Sequence, residues 1–272
     1  MLKRFFENST IKTAIKAADK PISKLAPIFG VIGAKGGVGA TSIVSNLAPA
    51  IAAIGIETTV IDANLQQPDV VSMFGKEPEH SVLELLNKGP QIDKQLFDAC
   101  NIKLDEGHLS LSLLSPPIDG SAAFKTNLSQ LTDCLDSVRS YSQVFLIDLP
   151  RHLDKHLVTL MDKCDKILLV FEASVPGVAT CRRWLKIFGE LGYGKDKVIC
   201  VLNRAGSKYD AVENQLADYF LEETIFRVPN ASSLAWQCIT RGTPIALAQP
   251  NHKYSQALVK LAQHLYQSLQ ES

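Results

Sequence analysis

The 272-residue chain predicts an α/β fold, a single doubly wound, mostly parallel sheet flanked by helices. Two observations carry that expectation. From residue 28 onward, short apolar runs alternate with stretches whose apolar residues recur at helical spacing. The runs are apolar throughout rather than at every second position, the pattern of strands buried on both faces.

The elements follow in order. Residues 28–32 form the first strand, which turns on Gly36, Gly37 and Gly39 into a helical stretch over 42–53. Further strands are expected at 58–61, 109–114, 144–147, 167–171, 198–202 and 224–228. Helical spacing marks 181–191 and 212–220. The chain closes with 254–269, where Leu258, Leu261, Leu265 and Leu269 share one helix face. Neither an internal repeat nor a low-complexity tract interrupts the series. One domain over residues 28–272 is within the usual size of an α/β unit.

Composition narrows the class. Twenty-eight basic residues balance 28 acidic ones, so bulk charge does not favour non-specific nucleic-acid binding. The six cysteines show no C-x-x-C spacing and sit in apolar or helical stretches, which suits reduced thiols in a cytoplasmic protein. No apolar stretch reaches the roughly eighteen residues of a membrane span. A secretory signal pattern is also absent from the start of the chain.

Residues 1–27 stand apart as a basic segment, with Lys3, Arg4, Lys12, Lys16, Lys20 and Lys24 against Glu7 and Asp19. Ile11, Ala14, Ile15 and Ala18 fall on one helical face, with Ser9 as an N-cap and Pro21 as a stop. Two readings stay open: contact with an anionic membrane or partner protein, or else a frayed leader or a helix packed on the domain.

The chemistry-bearing motif follows the first strand. A strand that turns sharply on glycines into a helix directs several backbone N–H groups and the positive end of the helix dipole at one spot, a phosphate site. The usual pattern ends in Gly-Lys-Ser/Thr. Here those positions are Gly39, Ala40 and Thr41, so the hydroxyl that binds magnesium is kept and the lysine is not. Lys35 stands near the start of the loop instead. Other candidates lie at strand ends. Asp62 opens Asp62-Ala63-Asn64-Leu65-Gln66, and Asp148 follows an apolar run in the Walker B manner, where a carboxylate supports magnesium. Asn203 and Arg204 end a later strand, where an amide can read a base edge. Pro229 follows the last strand, where it could wall a base. His152 and His156 are four apart with Asp154 between them, but no third ligand accompanies them. Lys195 and Lys197 flank Asp196 and read as a solvated loop.

These residues, in this order, resemble the deviant Walker A ATPases, the superfamily of the MinD and ParA proteins. Within it the chain is most similar to the CpaE/TadZ proteins of Tad (Flp) pilus assembly. The likeness rests on 34–42, 62–66, 145–151, Asn203-Arg204 and 228–244. It implies a P-loop NTPase fold with ATP and Mg2+ as ligands, Mg2+ being held by Thr41 and Asp148. Lys35 matches the signature lysine that crosses a nucleotide-sandwich homodimer. Gly36, Gly37, Val38, Gly39, Ala40, Thr41 and Ser42 match the phosphate loop, while Asn203, Arg204 and Pro229 lie where adenine is held. Asp62 matches the first acid of an Asp-x-Asp stretch, and Asn64 replaces the second, which is tied to hydrolysis. Binding is therefore expected to survive, with hydrolysis slow or lost; Gln66 or Gln67 could still position a water.

The resemblance implies an ATP-dependent dimerising switch or localisation factor for pilus or secretion machinery, cytoplasmic or peripheral at the inner membrane or a cell pole. Two alternatives stand beside it. One is a ParA-like positioning ATPase that binds DNA or membrane, and the other is a nucleotide-free scaffold.

Overall fold

A computed structural model describes residues 25–78, 80–104, 109–117, 127–206, 216, 220 and 225–270. The basic segment expected over 1–27 lies outside the described residues except for 25–27, and most of the helix expected over 212–220 does too.

Eight strands form one sheet: β1 (Ile28–Gly33), β2 (Thr58–Asp62), β3 (Ile102–Leu104), β4 (Leu111–Leu114), β5 (Val144–Asp148), β6 (Lys166–Phe171), β7 (Val198–Ala205) and β8 (Ile225–Pro229). Their order is β3-β4-β2-β5-β1-β6-β7-β8. Every pairing is parallel except β3 with β4. The expected doubly wound, mostly parallel sheet is what the chain forms.

The helices are α1 (Ala40–Ala53), α2 (Val70–Met73), α3 (Val82–Lys88), α4 (Lys94–Cys100), α5 (Leu128–Val138), α6 (Lys155–Asp162), α7 (Val175–Glu190), α8 (Ser232–Thr240), α9 (Ile245–Ala248) and α10 (Lys253–Gln270). They cover both faces of the sheet. In β5, Val144 and Leu146 join one core with Val44 and Leu47 of α1 and with Leu258, Leu261 and Leu265 of α10. Phe145 and Ile147 point the other way, into a core with Leu135 of α5, Leu157 and Leu160 of α6, and Trp184 and Phe188 of α7. Both faces are thus apolar, which is why the strand sequences show no polar alternation.

Several boundaries differ from the sequence reading. The first helix starts at Ala40 rather than residue 42. The helix read from residue 181 begins at Val175, where Ser174 caps it by accepting from Gly177 N and Pro176 fits the first turn. The third predicted strand is shorter, starting at Leu111, and it pairs with β3, a three-residue edge strand with no clear sequence signal.

β1 lies between β5 and β6, so the chain leaves it towards opposite halves of the sheet. A crevice opens at the carboxyl ends of the strands at such a switch point. Every candidate residue at a strand end faces that edge.

Candidate nucleotide site

The loop between β1 and α1 is fixed from three sides. Trp184 Nε1 donates to Ala34 O at 3.2 Å. Asn203 Nδ2 donates to Val38 O at 2.8 Å, and Arg204 Nη2 donates to Gly37 O at 3.0 Å. Gly37 and Gly39 have φ of 77° and 90°, the left-handed region that favours glycine. At Gly39 space adds to the requirement, because a Cβ there would meet Asn203 Nδ2 at 2.6 Å. α1 begins on Gly39 with no side-chain cap and no acidic residue in its first turn. Its first N–H groups and positive dipole end are therefore left for an outside anion.

Beside the loop is a groove of about 590 Å3, lined among others by Lys35, Thr41, Asp69, Arg151, Asn203 and Trp236. Gly37, Val38, Gly39, Ala40 and Ser42 also face it. Its far wall comes from Ala231, Ser232, Ala235, Trp236 and Ile239, around α8. Pro229 is not among the lining residues. It pairs with Ala205 at the end of β8, so the wall expected of it is built a few residues later.

At the loop's base, Thr41 Oγ1 donates to Asp148 Oδ2 at 2.7 Å. Asp148 is almost fully buried, and burial pushes its carboxyl up to about 7 from an ordinary 3.8. The nearby Asp62 charge pushes further, while hydrogen bonds from Thr41 and Asn64 hold it back. A hydroxyl and a carboxylate in contact, beside uncapped helix N–H groups, fit a hard divalent cation that accompanies a phosphate. With Mg2+ bound there, negative charge on a phosphate chain would be neutralised.

Asp62 ends β2 on the same side of the sheet as Asp148 ends β5. Its carboxylate accepts from Asn64 N at 2.9 Å, Asp69 N at 2.9 Å and Val70 N at 3.0 Å. Burial raises its carboxyl to about 6 against these three bonds. Asp62 winds residues 63–69 round itself and is not among the described residues that line the groove. Asn64 is likewise outside the groove, and its Nδ2 donates to Asp148 Oδ2 at 3.3 Å. It supplies a donor where hydrolysis needs an acceptor.

Asn203 faces the groove, yet its amide is partly committed. Nδ2 holds Val38 O, while Oδ1 accepts from Arg204 N at 2.9 Å. One amide N–H and one lone pair remain for a base. Arg204 adopts φ 59°, unusual for a residue with a side chain. That turn lets the guanidinium reach back to Gly37.

Glu172 escaped the sequence reading. It follows β6 as Asp148 ends β5, and that parallel position is the signal that could have found it. Lys35 Nζ meets Glu172 Oε1 at 2.7 Å, and Arg204 Nη1 meets Oε2 at 3.1 Å. Burial alone would raise the Glu172 carboxyl. The hydrogen bonds from Lys35 and Ser174 and the two cations outweigh it and hold the carboxyl below its usual range.

Gln66 and Gln67 lie in a second cleft, of about 400 Å3, with Asn64, His152, Asp154 and His156. The two histidines do not share a helix face, because α6 starts at Lys155 and Asp154 caps it by accepting from Leu157 N. Among the described residues no group of three or more His, Cys, Asp and Glu side chains could hold a metal. The described cysteines are buried thiols, none of them in a disulfide. No helix among the described residues is long and apolar enough to cross a membrane.

Residues 26–191 match the family described as AAA domain. An uncharacterized ATP-binding protein of Methanocaldococcus jannaschii is 20% identical over 246 residues, covering 90% of this chain and 89% of the relative. Among solved structures, a ParA family ATPase from Chlorobium tepidum superposes with a TM-score of 0.78 at 21% identity, covering 89% of this chain and 100% of that one. The septum site-determining protein MinD of Pyrococcus horikoshii, complexed with Mg-ADP, superposes with a TM-score of 0.74 at 18% identity, covering 89% and 96%.

Proposed function

The chain belongs to the AAA domain family, and on that premise we propose that it is an ATP-binding, magnesium-assisted switch that dimerises on nucleotide and hydrolyses it slowly or not at all. The observation that carries this reading is the contact between Thr41 and Asp148 beneath an uncapped helix start. The Mg-ADP bound by a relative of the same fold supports it.

Each residue's part follows from its placement. The loop N–H groups bind phosphate, and Thr41 with Asp148 hold the cation. Asn203 uses its remaining amide groups to orient the base. Lys35 is only partly buried and sits at the groove's mouth, so it is placed to exchange Glu172 for a phosphate across a dimer interface. Slow turnover follows from the acceptors. Asp62 has its oxygens occupied by backbone donors, and Asn64 is an amide that donates. An amide is a poor proton acceptor, and three backbone bonds leave Asp62 little capacity to turn towards a water in the groove.

The dimer's task is to present a new surface to pilus-assembly or secretion machinery, as the resemblance to the CpaE/TadZ proteins suggests. Nucleotide can drive that step only by binding the dimer better than the monomer. Sedimentation of the full chain with ATP and Mg2+ tests it. The mass should double with ATP and stay monomeric with ADP, and Lys35→Ala should remove the response. An unchanged mass at saturating ATP would refute the switch.

A further inference from the structure

Three cations line the groove: Lys35, Arg151 and Arg204. Glu172 neutralises two of them, taking Lys35 on one oxygen and Arg204 on the other. Arg151 is different. Among the described residues it makes no hydrogen bond and no ion pair, and it is exposed and lines the groove.

That position is informative. Arg151 stands three residues beyond Asp148, on the segment leaving β5, and β5 lies directly beside β1. Its guanidinium rests over Gly36. A Cβ built on Gly36 would lie 3.3 Å from Nη1 and 3.5 Å from both Cζ and Nη2. Gly36 has no positive φ, unlike Gly37 and Gly39. Its backbone therefore does not call for glycine; the space that a side chain would take is filled by the flat face of Arg151. Gly36 thus leaves room for the guanidinium, and position 40 carries alanine where the usual pattern has lysine. Ala40 itself faces the same groove.

We propose that Arg151 supplies to the triphosphate the cation that position 40 no longer carries. The inference rests on the reading that this groove holds a nucleotide. A guanidinium suits the task, since its planar fork can donate two parallel hydrogen bonds to one phosphate group. Without an acidic partner of its own, it need break no ion pair to do so. Lys35 and Arg204 would each have to leave Glu172.

Equilibrium titration of the full chain with labelled ATP, inorganic triphosphate and AMP, in Mg2+, tests the assignment. Arg151→Ala should weaken ATP and triphosphate by about 10- to 100-fold, the loss expected for one charge-assisted contact. AMP, with no outer phosphates, should change less than about threefold. Arg151→Lys should keep part of the affinity. Adding Ala40→Lys to Arg151→Ala should restore most of it, because the cation then returns by the other route. Arg151 is exposed, and thermal unfolding of each variant checks that the fold persists. Wild-type affinity for ATP in Arg151→Ala would overturn the assignment and leave the nucleotide reading standing. An equal loss for AMP would also overturn it, as would failure of Ala40→Lys to rescue. If the wild-type chain binds neither ATP nor triphosphate, the nucleotide reading falls first and the assignment falls with it.

Discussion

Replacing Asp148 with asparagine should stabilise the metal-free protein while weakening its response to magnesium. Asp148 is 1% exposed, and its carboxyl is pushed from 3.8 to about 7. At about 1.4 kcal/mol per pH unit, that corresponds to a penalty of about 4 kcal/mol on the ionised folded form. Asparagine has nearly the same shape and carries no charge. It can still accept from Thr41, but its amide N–H groups need partners that the carboxylate did not, so the expected gain is about 1–3 kcal/mol. That gain raises Tm by roughly 2–5 °C for a chain of this size.

The pH dependence fixes the sign. A carboxyl whose folded value is raised binds more protons folded than unfolded between about pH 4 and 7. Its neutral form supports the fold fully below about pH 4, and that support is lost as pH rises through 7. The Asp148→Asn advantage should therefore be largest at pH 8 in EDTA, be largely lost by pH 5, and give way to a deficit of about 1–3 kcal/mol below about pH 4, where only the cost of the unpaired amide N–H groups remains. Adding Mg2+ and ATP should reverse the order, because ligand that binds only the folded form stabilises it in proportion to affinity. Thermal unfolding across this pH range measures all of it. A variant less stable than wild type in EDTA at pH 8, by an amount that does not change at pH 5, would refute the electrostatic reasoning.

Other outcomes are expected from the same geometry. Glu172→Gln should flatten the acid limb of the stability profile, because a carboxyl held below its usual range lends stability above about pH 4.5 that is lost as pH falls; Tm measured from pH 6 to 3 reads this. Gly39→Ala should cost about 1–3 kcal/mol in denaturant unfolding, because the residue sits at φ 90° and the new Cβ would press on Asn203. Trp236 is 72% exposed on the groove wall and Trp184 is 7% exposed in the core. ATP should therefore change the tryptophan emission of the wild type and of Trp184→Phe, while Trp236→Phe should abolish the change.

The sheet was legible wherever both faces of a strand are buried. Residues 144–147 read as a strand because Val144 and Leu146 enter one core and Phe145 and Ile147 the other. β3 was not legible, since Ile102-Lys103-Leu104 is a short edge strand with one exposed side. The short helices α2 to α4 were missed because four to seven residues carry too little periodicity to distinguish them from loop. The phosphate loop was legible because glycine spacing reflects backbone conformation, which is local. Glu172 and Arg151 act through partners far away in the chain, Lys35 and Gly36, and no local pattern marks such pairs. The backbone contacts of Asp62 were hidden for the related reason that strand-end carboxylates share one sequence appearance. Whether such a group meets solvent or three backbone donors depends on how the following loop turns.

The loss of lysine at position 40 and the raised Asp148 carboxyl are two sides of one arrangement. What restrains Asp148 is hydrogen bonding from Thr41 and Asn64, while Asp62 and Asp69 add negative charge; no cation contributes. The cations nearby are turned elsewhere, with Lys35 and Arg204 on Glu172 and Arg151 over Gly36. A permanent lysine in the loop would compensate the buried acids whether or not ligand were present. Without it, charge balance around Asp148 must come from a proton or from an arriving divalent cation. Such a site discriminates between its loaded and unloaded states more sharply than one carrying its own counter-charge. Asn64 then leaves the loaded state without a ready base to discharge it. On the proposed reading, both departures would favour a long-lived bound state over turnover, the property that a nucleotide-set assembly signal requires.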